Sequence, residues 1–187
     1  MRLLVIDCET TGLSPTNNQI LTVGLLLVEI RREEYDIIDS EHLKIKHKVY
    51  HVSGIALKIN KINLENHHKE AIDIEEACRI INSFIERYDL YETPLLGHNI
   101  KFDLAFIQSL FQGTGEEFNH CLEHIDTWQI WNSLKREGII PWKLKGTLKV
   151  LAKYFQVSYK GAHDALVDCK ITTEVYHNLL GVLEGRN

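Results

Sequence analysis

Residues 5–13 read VIDCETTGL. Leu3, Leu4, Val5 and Ile6 form a short apolar run, as a buried strand requires, and Asp7 and Glu9 follow at its end. Side chains two residues apart in a strand point to the same side. Two carboxylates therefore sit together at the tip of a hydrophobic strand, where they repel each other unless positive charge is supplied nearby.

Working outward, strands are predicted at 2–7, 19–30 and 35–47, three in a row. The run ILTVGLLLV (20–28) is far shorter than the ~20 residues of a membrane helix and fits a buried strand. In the third strand Leu43 and Ile45 alternate with Lys44, Lys46 and Lys48, which suits a half-wet edge. A loop is predicted at YHVSGI (50–55), then a helix over 70–88 with Ile74, Ala77, Ile81 and Ile85 on one face. PLLGH (94–98) reads as a strand, 100–111 as a helix, 124–126 as a strand feeding a helix through Trp128 and Trp131. A short helix starts at Gly146-Thr147, and a last one spans 164–180. Strands first, then strands alternating with helices, predict an α/β fold with a mixed central sheet flanked by helices, its first three strands antiparallel.

The 187 residues are expected to form a single domain, 1–187. With 44% hydrophobic and 25% charged residues, the composition is that of a water-soluble globular protein. The first apolar run is too short for a signal peptide. Cys8, Cys78, Cys121 and Cys169 form no CxxC pair and are expected as reduced thiols in a cytoplasmic protein. Cys121 lies between His120 and His124, but without a second ligand pair a loop is the better reading than zinc. The net charge of −5 argues against a uniformly basic nucleic-acid coat. It is unevenly spread: Lys135 to Lys160 carries +6 and the remainder −11.

More acids stand on apolar faces. Asp103 shares a helical row with Phe106, Ile107 and Leu110. Asn99 is read as the N-cap of that helix, a role too far from Asp103 for it to share. Asp168 lies in the row of Ala165, Ile171, Thr172, Val175 and Leu179, five residues after His163, and Asp164 is placed to cap. Buried unpaired carboxylates cost several kcal/mol each. No Lys or Arg occupies the same rows as Asp7, Glu9, Asp103 and Asp168. Two divalent cations would balance the four charges, and hard oxygen ligands favour Mg²⁺ or Mn²⁺.

These residues resemble the DEDD superfamily of 3′→5′ exonucleases, in its DEDDh branch, which includes the epsilon proofreading subunit of bacterial DNA polymerase III. The motifs stand as DCETTGL (7–13), GHNIKFD (97–103) and HDALVD (163–168), in the family's order. The resemblance implies an RNase H-like fold and a two-metal phosphodiesterase that releases nucleoside 5′-monophosphates. Asp7 would bridge both ions, Glu9 and Asp168 would complete one site, and Asp103 would support the second ion, chiefly through water. His163 would be the general base; imidazole titrates near 6.5, and such a base contributes about 10²–10⁴-fold. Thr10 and Thr11 would offer backbone or hydroxyl groups to the terminal nucleotide, Leu13 would wedge against its base, and His98, Asn99 and Phe102 would line the other side. HVSGI (51–55) resembles the family's loop beside the site.

The expected partner is the 3′ end of DNA, or of RNA in a ribonuclease of the same superfamily, with a DNA polymerase as a further partner class and no membrane. A non-catalytic binding module is disfavoured because every expected ligand and the histidine are present. The 19 residues after Asp168 are expected to leave little room for a polymerase-binding tail. QSLF (108–111) resembles a sliding-clamp peptide, but it falls where the helix must pack on the sheet. Lys143, Lys145, Lys149, Lys153 and Lys160, with Trp142 and Tyr159 among them, are expected to guide a single strand toward His163.

Overall fold

The central strand, β1 (Arg2–Thr10), is apolar without alternation from Leu3 to Ile6 because both of its faces are covered. In the computed structural model, which describes residues 1–185, it lies in a five-stranded sheet of order β3-β2-β1-β4-β5. β2 (Ile20–Ile30) and β3 (Tyr35–Lys44) continue antiparallel on one side. β4 (Leu95–Gly97) and β5 (His124–Asp126) run parallel to β1 on the other. This is the mixed sheet expected, with its first three strands antiparallel.

Each face of β1 meets different helices. Leu4, Ile6 and Cys8 pack with β2 against α3 (Ile74–Arg87) and α4 (Lys101–Gln112), through Ile81, Phe84, Phe106 and Ile107. Leu3 and Val5 pack against α7 (Ala165–Leu183), through Cys169 and Tyr176. By strand parity Asp7 and Glu9 continue the Leu3–Val5 face and so lie under α7. The outer side of α7 carries a second core, in which Val175 and Leu179 meet Trp131 of α5 (Thr127–Arg136) and Leu151 of α6 (Leu148–Tyr154). Leu110 and Phe111 are buried in the first core, so the apolar half of QSLF packs inward.

The structure corrects several boundaries. β1 runs to Thr10 rather than stopping at residue 7, because β2 is long enough to pair Asp7 with Gly24 and Glu9 with Thr22. Two short helices, α1 (Gly54–Asn60) and α2 (Leu64–Glu70), occupy the region read as loop. In α1, Ile55 and Ile59 are 71% and 49% exposed and Asn60 is the buried residue, so no apolar face announces the helix. α3 starts at Ile74, not 70, since Ile72 is drawn into a parallel bridge with Ile45 just beyond the end of β3. The last helix continues to Leu183 rather than ending near 180.

Gly24 fixes how closely α7 approaches the sheet. A methyl group there would fall 2.6 Å from the carbonyl carbon and oxygen of Ala165, both backbone atoms that cannot step aside. Gly24→Ala is therefore expected to cost about 1–3 kcal/mol through overpacking, read as a lower urea midpoint. Gly54→Ala, whose added methyl meets nothing, is expected to stay within about 0.5 kcal/mol of the parent.

Candidate active site

β1 outruns its parallel neighbour. β4 pairs with it only at Leu4 and Leu95, and at Val5 and Leu96. Beyond that point the edge of β1 is open, and the Cys8 N–H donates instead to Asp103 Oδ1 at 2.9 Å. Asp103, in the first turn of α4, is 4% exposed. The turn into α4 is fixed from β5: Asp126 Oδ1 accepts the Asn99 N–H at 2.8 Å and the Trp128 N–H at 2.9 Å. Asn99 itself does not cap the helix. Its backbone is left-handed (φ 60°), a conformation that asparagine tolerates, and the cap position passes to Ile100 without a side-chain bond.

At the other side, Asp164 caps α7 by accepting the Val167 N–H at 3.1 Å, the structural role read for it. His163 precedes it in a left-handed conformation, φ 71°, and its N–H donates to Asp168 Oδ2 at 3.2 Å. The second carboxylate oxygen, Asp168 Oδ1, is buried and has no hydrogen-bond partner. Side-chain ligand atoms of Glu9, His163 and Asp168 all lie within 4.8 Å of one another. A cleft of about 350 Å³ opens beside them, lined also by Thr22, His42, Asn60 and Asn66.

The remaining residues singled out in the sequence flank this cluster. Thr10 and Thr11 present no free hydroxyls. Both residues are buried; Thr10 Oγ1 donates to the Gly12 carbonyl at 2.6 Å and Thr11 Oγ1 to the His51 carbonyl at 2.8 Å, so they hold the turn. Leu13 projects from that turn, 84% exposed. His98 is bound on both ring nitrogens, to Thr127 Oγ1 at 2.9 Å and to the Gly146 carbonyl at 3.0 Å. Burial lowers its pKa and favours the neutral ring. Asn99 is exposed, and Phe102 stacks at a tilt on Phe106 with 4.9 Å between centroids.

Two contributors were not legible as such, and a third, Tyr159, was expected among the strand-guiding residues rather than against His163. Asn60 holds the Glu9 pKa down against burial and donates to the Thr10 carbonyl at 3.1 Å, tying α1 to the end of β1; nothing in its local sequence marks it. Asp126, ending a strand just before a helix, is a residue type that caps helices, and its side chain accepts the Trp128 N–H. Tyr159 stands edge-on to the His163 ring, 6.2 Å between centroids. Its phenol is pushed up to about 12 by burial and by the charges of Asp168, Asp7 and Glu9, so it belongs to the site's surroundings.

The electrostatics are those of crowded acids. Burial holds the Asp7 carboxyl well above the usual range, and Asp103, Asp168 and Glu9 push it further. Burial likewise raises Asp103, against the opposing Cys8 hydrogen bond. Glu9 is raised to about 7, first by burial and then by Asp168. Asp168 is raised to about 6 by burial, opposed by His163. Among the described residues no lysine or arginine stands among the main causes of these shifts. Oxygen-rich, uncompensated and with an orphaned carboxylate oxygen, the donor set fits hard divalent cations.

A family model described as an exonuclease, RNase_T, matches residues 4–176. The PolC-type DNA polymerase III of Caldanaerobacter subterraneus subsp. tengcongensis is 28% identical over 182 residues, covering 97% of this chain and 12% of the polymerase. Ribonuclease T of Haemophilus influenzae is 23% identical over 181 residues, covering 92% of this chain and 76% of that protein. This chain thus spans about an eighth of the PolC-type relative's length. Among solved structures, the zinc-bound complex of Escherichia coli ExoI with single-stranded DNA superposes with a TM-score of 0.79 at 21% identity, covering 99% of this chain and 41% of that one. This is a likeness of fold.

Raised carboxyl pKa values make the metal-free protein pH-sensitive. Between the unfolded values near 4 and the folded values of about 6 and 7 for Asp168 and Glu9, the native state holds more protons than the unfolded chain. Stability is then greatest at the acid end of that window and falls as pH rises through it. Thermal unfolding in EDTA is expected to show a lower Tm at pH 8 than at pH 5. Adding Mn²⁺ at roughly 100 times its Kd at pH 8 is expected to raise Tm by about 5–10 °C, and by less at pH 5, where protons compete.

Proposed function

The chain belongs to this DEDD-type exonuclease family and is a nuclease, and on that premise we propose that it removes nucleotides from the 3′ end of single-stranded DNA, releasing nucleoside 5′-monophosphates. The observation that carries the reading is the meeting of Glu9, His163 and Asp168 within 4.8 Å, with an unpartnered carboxylate oxygen among them. Asp7, Glu9, Asp103 and Asp168 would hold two divalent cations, Mg²⁺ or Mn²⁺. When bound, such ions supply positive charge to the attacking and leaving oxygens of an in-line displacement.

The chain's own groups do the rest. His163 takes the proton from the attacking water onto a ring nitrogen as the water oxygen bonds to phosphorus. The bond from phosphorus to the 3′-oxygen of the preceding nucleotide breaks, and that oxygen leaves with the electron pair and takes a proton from solvent to become the 3′-hydroxyl. Tyr159, edge-on, limits where the imidazole can turn. Leu13 wedges against the terminal base, while Asn99 and Phe102 bound it from the α4 side. His98 keeps this wall in register by joining it to Thr127 and Gly146. Thr10 and Thr11 act by shaping the turn from which Leu13 projects.

DNA is favoured as substrate by the PolC-type relative and by ETTG after Asp7-Cys8. The ribonuclease T relative supports a second reading, a 3′→5′ exoribonuclease. The proposal extends to a cytoplasmic setting in DNA replication and repair, with a DNA polymerase as the protein partner class.

End-labelled DNA and RNA oligomers of matched sequence, incubated with Mg²⁺ or with EDTA, are expected to show stepwise shortening of the DNA from its 3′ end and no product after chelation. Faster loss of the RNA would select the second reading. Asp7→Asn is expected to lower kcat by about 10²–10³-fold or more; unchanged turnover would contradict the assignment. His163→Ala is expected to lower kcat by about 10²–10⁴-fold while Mn²⁺ binding, followed by calorimetry, persists. Lost Mn²⁺ binding would make His163 a ligand.

A further inference from the structure

From Gly138 to His163 the chain carries five lysines and no acid. Elsewhere three lysines are matched: Lys44 with Glu70, Lys46 with Asp73, Lys69 with Glu65. Among the described residues no ion pair holds any of the five. In a chain of net charge −5, this leaves an unneutralised cationic strip beside a strongly acidic site. Nothing in folding calls for it.

The same strip shows aromatic rings to solvent. Trp142 is 82% exposed on a tight turn closed by the Leu144 N–H to the Pro141 carbonyl, 3.1 Å. Trp128 is 44% exposed and lies over Gly146, where a methyl group would come within 3.1 Å of its indole. Gly146 leads back to the site, because its carbonyl accepts from His98 Nε2 at 3.0 Å. Trp142, four residues from Gly146, is no more than about 14 Å from it along the chain. On α6, Lys149 and Lys153 are one turn apart and exposed, whereas Leu148, Leu151 and Ala152 face the core.

We infer that this surface is a track for single-stranded nucleic acid, holding the part of the strand upstream of its 3′ end. Trp128 and Trp142 stack on bases, while Lys143, Lys145, Lys149 and Lys153 meet phosphates. Rings that offer flat faces to any base, alternating with cations, are what sequence-independent single-strand binding requires. The proposal rests on the exonuclease reading for the direction of the strand. It assigns the grip to a surface separate from the carboxylates and His163, so that a mononucleotide fragment makes no use of it.

The test uses the full chain and two readouts. Binding of 5′-fluorescein oligo(dT) is measured by anisotropy in EDTA, which holds the strand uncut. Trp142→Ala is expected to raise Kd roughly tenfold, the scale of one lost base stack. Lys143→Gln with Lys149→Gln is expected to flatten the slope of log K against log salt by about 1.4, two single-strand phosphate contacts at ~0.7 each. Hydrolysis of the p-nitrophenyl ester of thymidine 5′-monophosphate in Mg²⁺ is expected to be unchanged in both variants. The inference is overturned if the variants hold oligo(dT) as tightly and with the same salt slope as the parent. It is overturned equally if they lose activity on the small ester as much as on the long strand. Competition by poly-glutamate of matched charge as effective as unlabelled oligo(dT) would overturn it in favour of an acidic protein partner. The arms fail separately, since an ester untouched by the parent enzyme would sink the catalytic reading, and strand binding would still report on the track.

Discussion

Mutual repulsion among carboxylates held away from water governs how this molecule is built. Asp7, Glu9, Asp103 and Asp168 each have raised pKa values, with burial as the first cause and neighbouring acids adding to it in all four. Among the described residues no lysine or arginine is paired with them, and His163 relieves Asp168 in part. Secondary structure that would otherwise relax away from such a cluster is therefore fixed from outside. Asp126 sets the turn into α4, Asp164 caps α7, and Gly24 lets α7 lie directly on β2. The stability given up at the cluster is offset by two cores on opposite sides of the sheet, where Leu, Ile and Val residues of β1 and β2 are fully buried.

The division between rigid and reactive parts follows from that arrangement. Residues that only frame the site satisfy their polar groups internally, as Thr10, Thr11 and His98 do. The polar atom left unsatisfied in the acidic cluster is Asp168 Oδ1. His163 sits in a left-handed backbone conformation, uncommon for a residue with a side chain. Its amide is anchored by Asp168, the residue whose charge its ring helps to moderate. Backbone and side chain of one histidine thus serve the same carboxylate.

What the sequence made legible was whatever burial writes into periodicity. Asp103 and Asp168 stood out because helical spacing puts them among Phe106, Ile107, Val175 and Leu179, and both are buried. The sheet order followed from three successive strands and then an alternation with helices. The misreadings share a cause, namely interactions made across long separations. Asp7 to Thr10 look like the end of a strand, yet β2 extends the pairing through them. Asn99 is a capping residue by type, but its amide is claimed by Asp126, 27 residues later. α1 has its isoleucines facing solvent and is tied down by Asn60 and by the Ser53 N–H to the Thr11 carbonyl, 2.7 Å, so no amphipathic signature precedes it.

The brevity of β4 has a consequence of its own. With three residues it stops short, and β1 runs on alone past Val5. Were β4 longer by one further rung, its carbonyls would reach the Cys8 amide and compete with Asp103 for it. The acid would be displaced from the strand that carries Asp7 and Glu9, and the sheet would seal over its own gap. The length of this one strand acts as an aperture stop for the whole centre, and a lengthening insertion before Gly97 would close it without altering a single carboxylate.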